Sequence, residues 1–169
     1  MSRYVIGIDL GTTNSALAYV DSTTASGDAA APVERFAIPQ VVAVGDVSER
    51  PLLPSFLYIP ATKEFPPGSL ELPWKTPPDR VVGSFARDHG AKVPGRLVGS
   101  AKSWLSHPGV DRRSPILPWS APEDVPRVSP VDASSAFLEH LRDAWNARKA
   151  GKASAERLEN QEIDRKSVV

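Results

Sequence analysis

The sequence contains no cysteine, and this absence excludes several kinds of chemistry. Without thiols the chain can form no disulfide bond, no thiolate nucleophile and no zinc–thiolate centre. Long apolar runs are also missing, since no stretch approaches the roughly 18 residues of a membrane-spanning helix. The apolar run after Met-Ser-Arg is too short for a signal peptide, and Asp9 interrupts it. We therefore expect a cytoplasmic protein that has no membrane partner.

An excess of charge of either sign is absent as well. The chain has 20 Lys and Arg residues and 20 Asp and Glu residues, so its formal net charge is zero. Proteins that bind nucleic acids usually carry a basic excess, so we expect no nucleic-acid partner. The 169 residues, 41% of them hydrophobic, suit one globular domain or part of a larger one.

Proline is abundant, with 17 residues that fall mostly between Pro32 and Pro130. Because proline disfavours helix interiors and central strands, this region should be rich in loops. Within it we expect strand-like pieces in residues 33–44, broken at Pro39, and an extended segment in residues 52–60. A short helix should follow in residues 83–92, and apolar residues at helical spacing predict another in residues 97–107.

The two ends of the chain carry clearer patterns. Residues 3–10 and 15–20 are apolar runs separated by a short polar turn, which predicts a β-hairpin. The segment from about Pro130 to Ala150 predicts a long helix, with Ser129 as its N-cap and Gly151 as its stop. Its buried face is expected to comprise Ser134, Phe137, Leu138, Leu141, Ala144 and Trp145.

The hairpin turn holds the residues with the most chemical interest. Asp9 ends the first strand, where a carboxylate can hold Mg²⁺ directly or through its waters. Gly11 permits a tight turn, and the amides and hydroxyls of Thr12, Thr13 and Asn14 can converge on anionic oxygens. The spacing is neither that of a P-loop nor that of a dinucleotide fingerprint. The same residues also suit an ordinary hairpin turn capped by Asp9.

The segment IGIDLGTTNSALA, residues 6–18, resembles the first phosphate-binding motif of the heat shock protein 70 family. Three later segments resemble that family in the same order. Residues 52–59 are similar to its Thr-Pro-Ser strand, with Leu53 in place of the threonine. Residues 81–87 are similar to its Val-Gly-x-x-Ala-Lys/Arg segment, and residues 100–107 to the segment that carries its catalytic lysine, here Lys102.

The resemblance implies an α/β fold, the first lobe of an actin-like (ribonuclease-H-like) ATPase that starts with an antiparallel β-hairpin sheet. It implies ATP or ADP and Mg²⁺ as ligands, with Asp9 organising the metal's water shell. Gly11, Thr12, Thr13 and Asn14 would bind the phosphates, and Lys102 would act catalytically on the γ-phosphoryl group. Without the motif, Lys102 reads as a solvated helix lysine, since lysine is mostly exposed.

The resemblance covers about residues 3–163 and implies a partial nucleotide-binding domain. It comprises a hairpin sheet in residues 1–38, a proline-rich subdomain in 39–128 and a returning helix in 129–151. Residues 164–169 do not fit the family pattern, so we expect a truncated domain that lacks its second lobe. The isolated chain would then bind ATP weakly, and its first strand would lack a parallel neighbour and expose an apolar edge.

In a full-length protein the resemblance implies unfolded polypeptides and co-chaperones as partners. Two other functions stay open: a sugar-kinase-like phosphotransferase, against which Asn14 argues, and a non-catalytic fragment. The three histidines show no metal-ligand spacing and are expected at the surface or its boundary. Two of the four tryptophans, Trp104 and Trp145, are expected in the core.

Overall fold

The computed structural model describes residues 2–24, 31–74 and 79–165. The low-complexity composition of residues 21–32 predicts a surface loop, and half of it, residues 25–30, lies outside the described residues, as do the final residues 166–169. The described part is a mixed α/β fold with three β-sheets and three α-helices. Within it, no helix is both long and apolar enough to cross a membrane.

The elements follow one another along the chain with short connections. The strands are β1 (Tyr4–Leu10), β2 (Asn14–Asp21), β3 (Glu34–Arg35), β4 (Ile38–Ala43), β5 (Asp46–Arg50), β6 (Leu53–Pro54), β7 (Phe56–Tyr58), β8 (Val81–Val82), β9 (Leu97–Gly99) and β10 (Glu162–Arg165). The α-helices are α1 (Ser84–Gly90), α2 (Ala101–Trp104) and α3 (Pro130–Trp145).

The predicted hairpin is confirmed. β1 and β2 pair antiparallel from Tyr4 opposite Asp21 to Leu10 opposite Ser15. Side chains alternate between the two faces, so that Ile6 and Leu17 are fully buried while Val5 is 37% exposed. β3 and β6 extend the sheet on the β2 side. The hairpin therefore has one face in the core and one face toward solvent.

The predicted exposed edge of β1 is wrong over most of the strand. β10 pairs with it in parallel, from Val5 opposite Glu162 to Ile8 opposite Arg165. Gln161 guides this return, since its Oε1 accepts a 3.0 Å hydrogen bond from the Tyr4 amide. Asp164 and Arg165, expected outside the domain, thus belong to the central sheet. The unpaired backbone groups of β1 outweigh the low strand propensity of this polar segment.

The long helix is also confirmed, with the expected cap. Ser129 Oγ accepts a 3.0 Å hydrogen bond from the Asp132 amide, which forms a capping box. α3 continues as one π-helical turn over Asn146–Ala150 and ends at Gly151. The predicted face is correct except for Leu138, which is 40% exposed.

The core lies between α3 and the inner face of the hairpin sheet. Trp145 is fully buried as expected, and its indole Nε1 donates to the Glu156 carbonyl. The rings of Tyr4 and Tyr19 meet it edge-on, with centroids at 5.1 and 5.2 Å. Such edge-to-face contacts suit the quadrupoles of aromatic rings. This cluster anchors the helix to the hairpin that carries the candidate site.

Pro39 does not break its strand as predicted. It lies within β4 and is paired with Glu49 of β5. The β4–β5 sheet has only two strands, so one side of β4 needs no ladder partner and accepts a proline. The side chain of the next residue, Gln40, is fully buried and caps α1, since its Oε1 accepts hydrogen bonds from Ser84 N and Oγ.

The predicted helix over residues 97–107 is wrong in its first half. Leu97–Gly99 forms β9, which pairs antiparallel with β7 in a three-stranded sheet. Only Ala101–Trp104 is α-helical. Periodicity cannot separate a short apolar strand from a helical turn, and here pairing with a distant strand decides the outcome.

Candidate functional site

The turn between β1 and β2 brings five of the six predicted site residues together. Asp9 is exposed near the end of β1 and is paired with Ala16 of β2. Thr12 and Thr13 are exposed at the tip, and Asn14 is half-buried at the start of β2. The carboxylate and the polar tip therefore lie at the same end of one hairpin.

Gly11 is required by the backbone of the turn. A Cβ atom at this position would lie only 2.1 Å from the Asn14 carbonyl oxygen, a distance at which no side chain fits. The close approach involves backbone atoms, so no rotamer change relieves it. Gly11 thus folds the turn back on itself, and the predicted reason for glycine here, a tight turn, is confirmed.

Ser55, which follows β6, anchors the turn with three hydrogen bonds. Its amide donates to the Thr13 carbonyl over 2.9 Å, and its hydroxyl donates to the Gly11 carbonyl over 2.8 Å. Its Oγ also lies 3.0 Å from Ser15 Oγ. Both serines are buried. Ser55 was not among the predicted site residues, and the Pro-Ser dipeptide within residues 52–60 is the signal that could have indicated it.

These contacts leave a donor-rich surface at the tip of the hairpin. Two of the turn's carbonyls are paired with Ser55, and Thr12 and Thr13 are exposed. Among the described residues, no side-chain hydrogen bond involves Thr12, Thr13 or Asn14. Backbone amides and hydroxyls that converge in a turn form an anion-binding concavity.

Asp9 fits a metal held through water better than a metal held in a protein cage. No group of three or more His, Cys, Asp or Glu side chains that could hold a metal ion occurs among the described residues. Mg²⁺ commonly takes one or two carboxylates and completes its shell with waters and substrate phosphates. One exposed carboxylate beside a turn that is rich in hydroxyls matches that donor set.

Lys102 lies on α2 and is half-buried. The fold links it to the turn through β7 and β9, because Phe56, the residue after Ser55, pairs with Gly99. Ser100, in a left-handed conformation with φ of 53°, then starts the helix. In the described part of the chain, no hydrogen bond or ion pair joins Lys102 to the turn. Lys102 and the turn are thus connected through one sheet and not through a polar bond.

The prediction of a core tryptophan on α2 is confirmed only in part, because Trp104 packs against the main core without being fully buried. Trp104 is half-buried and stacks on Trp119, whose side chain is 61% exposed, with ring centroids 5.0 Å apart. His107 stacks on Trp104 as well, at 5.3 Å. The tryptophan next to Lys102 thus belongs to a surface stack.

The structure also contains a cluster that the sequence did not indicate. The Glu64 carboxylate accepts hydrogen bonds from the Tyr58 hydroxyl over 2.7 Å and from the Ala61 amide over 2.7 Å. His89 Nε2 lies 3.0 Å from the same carboxylate. Burial alone would raise the pKa of Glu64, but these hydrogen bonds outweigh it and lower the pKa. Burial, followed by the bond to Glu64, raises the pKa of Tyr58.

Glu64 also lies on the wall of an open cavity of about 910 Å³, lined mainly by residues 59–68 together with Arg80, Val81 and residues 126–128. None of the predicted site residues borders this cavity. The hairpin turn is therefore a surface feature that is distinct from this cavity.

Comparison of the sequence with known protein families gives no match, and comparison with curated proteins gives none either. The resemblance to the heat shock protein 70 family therefore stands on the motif residues themselves.

Proposed function

We propose that this chain supplies the phosphate-binding half of an ATP site, as the first lobe of an actin-like ATPase of the heat shock protein 70 type. The observation that carries the proposal is the turn from Gly11 to Asn14. Ser55 holds its backbone through two hydrogen bonds, Thr12 and Thr13 are exposed at its tip, and Asp9 lies near the end of the adjacent strand. The β10–β1–β2–β3 order, with one parallel strand beside an antiparallel hairpin, supports it.

In this proposal each residue has a separate task. The amides and hydroxyls of Thr12, Thr13 and Asn14 bind the terminal phosphates of the nucleotide. Asp9 orients the water shell of Mg²⁺, which when bound neutralises phosphate charge. Lys102 stabilises negative charge on the transferred phosphoryl group and positions the attacking water. Hydrolysis of this kind depends on positioning and electrostatics, and it needs no covalent intermediate. Assistance to protein folding in the cytoplasm is part of the same proposal.

Affinity at this turn should be low because the turn is open to solvent. Asp9, Thr12 and Thr13 are exposed, and they border neither the cavity beside Glu64 nor the smaller one beside His140. A ligand held from one side gains few contacts to offset its lost freedom. We expect a dissociation constant for Mg·ATP on the order of 1 mM, which corresponds to about 4 kcal/mol.

NMR titration of the ¹⁵N-labelled chain tests the proposal. Magnesium tripolyphosphate and Mg·ATP should both shift the amide signals of residues 11–14, whereas adenosine should not. The proposal would be overturned by shifts confined to other residues, or by the absence of any shift at a ligand concentration about 10-fold above the expected dissociation constant. Addition of a hexose or a polyol during single-turnover hydrolysis separates an ATPase from a sugar-kinase-like phosphotransferase.

The role of Asp9 has a signature of its own. Asp9→Asn should weaken tripolyphosphate binding in the presence of Mg²⁺ and leave it equal or stronger without the metal. The reason is that an unshielded carboxylate repels phosphate, whereas a metal bridges the two groups. Asp46→Asn, an exposed acid on β5, is the matched control and should change neither value. Equal weakening with and without Mg²⁺ would contradict the metal role.

A further inference from the structure

The hydrogen bonds around Ser55 form a series in which each group donates to the next. The Gly11 carbonyl can only accept, so the single hydroxyl proton of Ser55 is committed to it over 2.8 Å. Ser55 Oγ must then act as the acceptor in its 3.0 Å contact with Ser15 Oγ. The sequence of donation is therefore Ser15 to Ser55 to the Gly11 carbonyl.

This series of hydrogen bonds lies at the base of the turn, below its tip. Ser15 and Ser55 are 0% and 2% exposed, so neither hydroxyl can reach a ligand at the surface. The Ser55 amide holds the Thr13 carbonyl as well, at 2.9 Å. Two carbonyl dipoles of the turn are thus bound to one buried residue. A carbonyl freed toward the tip would present partial negative charge to a phosphate.

We propose that Ser55 is a positioning residue, whose hydroxyl holds the Gly11 carbonyl inward so that the tip of the turn presents donors to a polyphosphate. This inference rests on the proposed function and adds to it the residue that sets the polarity of the turn. Ser55 touches no ligand and acts through the backbone of Gly11. Charge-assisted bonds between backbone amides and anions depend on such fixed orientation.

The test compares two buried hydroxyls that occupy different positions in this series of hydrogen bonds. Ser55→Ala removes the donor to Gly11, whereas Ser15→Ala removes the donor to Ser55 and leaves the bond to Gly11 intact. For Ser55→Ala we expect the ¹³C signal of the Gly11 carbonyl to move upfield, and the dissociation constant for magnesium tripolyphosphate to rise about three- to tenfold, as for one lost hydrogen bond. For Ser15→Ala the carbonyl signal should stay in place, and the constant should change less than about twofold.

Ser55→Thr keeps a hydroxyl at the same position and should retain both the carbonyl signal and binding. Equal weakening by Ser55→Ala and Ser15→Ala would show a packing role only and would overturn the inference. Unchanged binding in Ser55→Ala, or loss of binding in a folded Ser55→Thr, would also overturn it. If the wild-type chain itself does not bind tripolyphosphate, the proposed function fails first and the inference fails with it. If the wild-type chain and Ser55→Ala bind tripolyphosphate equally well, the inference about Ser55 is overturned and the proposed function is not.

Discussion

His140 Nε2 lies 2.9 Å from the carbonyl oxygen of Pro39, so a helix and a strand are joined through residues 101 positions apart. The carbonyl can only accept, which means that Nε2 carries a proton and donates it to this bond. The ring is buried and meets Trp74 edge-on at 5.3 Å. The expected surface position of this histidine is therefore wrong, because the bond to Pro39 satisfies a polar group inside the core.

This burial makes stability depend on pH. Burial lowers the pKa of His140 to about 4, and the bond to Pro39 and the charge of Asp143 offset only part of that shift. Below pH 6.5, the ordinary pKa of histidine, this side chain is protonated in the unfolded chain but stays neutral in the folded chain. The free energy of unfolding therefore falls as the pH falls. Between pH 7 and pH 5 we expect a loss of about 2 kcal/mol, measured by urea unfolding.

The control for this prediction is His140→Gln, which keeps a donor for the Pro39 carbonyl and cannot titrate. Its stability should be nearly flat over the same interval. Hydrogen bonds from Arg157 and Asn146 lower the pKa of Glu159 to about 2. Protonation of such a carboxylate reduces the stability of the protein only near and below pH 4.5, so the measurement stops at pH 5. A wild-type chain as flat as the variant would contradict the prediction.

The sequence predicted the parts of the fold in which local pattern and tertiary packing agree. Two apolar runs on either side of a polar turn predict β1 and β2, and the Ser129 cap with its apolar stripe predicts α3. Elements that depend on a distant partner do not follow from local pattern. β9 is a strand because it meets Phe56–Tyr58, and β10 is a strand because β1 offers a free edge.

The same distinction applies to the candidate site. Asp9 and the Gly-Thr-Thr-Asn turn are contiguous, so their grouping follows from the sequence. Ser55 lies 44 residues from Gly11, and its hydroxyl becomes relevant only once β6 pairs with β2. The cluster of Tyr58, Glu64 and His89 likewise arises from packing between separate elements, and no local motif marks it.

Ser134 provides a second test of the core. Its Oγ is the one buried side-chain nitrogen or oxygen without a hydrogen-bond partner in the part of the chain that the structure describes. Ser134→Ala removes this unsatisfied hydroxyl and improves helix propensity, so we expect about 1 kcal/mol of added stability by urea unfolding.

Ser135→Ala is the matched control, because Ser135 follows Ser134 on the same helix and is only half-buried. It should gain only the propensity term, about 0.5 kcal/mol or less. If Ser134→Ala destabilises the protein, the hydroxyl has a partner and its burial is stabilising.

Gly11 and Gly7 form a matched pair at and before the turn. Gly11→Ala places a Cβ 2.1 Å from the Asn14 carbonyl oxygen, and we expect a cost of about 2 to 3 kcal/mol with loss of tripolyphosphate binding. At Gly7 the nearest atom to an added Cβ is the Ala18 carbonyl oxygen at 4.0 Å, an ordinary contact. Gly7→Ala should therefore be neutral or stabilising by up to about 1 kcal/mol. Similar losses at both positions would contradict the backbone reason given for Gly11.

Lys102 separates binding from chemistry in the proposed ATPase. No bond joins it to the turn among the described residues, so Lys102→Ala should change the dissociation constant for Mg·ATP by less than about threefold. If the lysine stabilises charge that develops on the phosphoryl group, the single-turnover rate at saturating Mg·ATP should fall about 100-fold or more. Lys92→Ala, an exposed lysine between α1 and β9, is the control and should change neither value. Equal losses of affinity and rate in Lys102→Ala would mean that the lysine only binds the nucleotide, and an unchanged rate would remove it from the site.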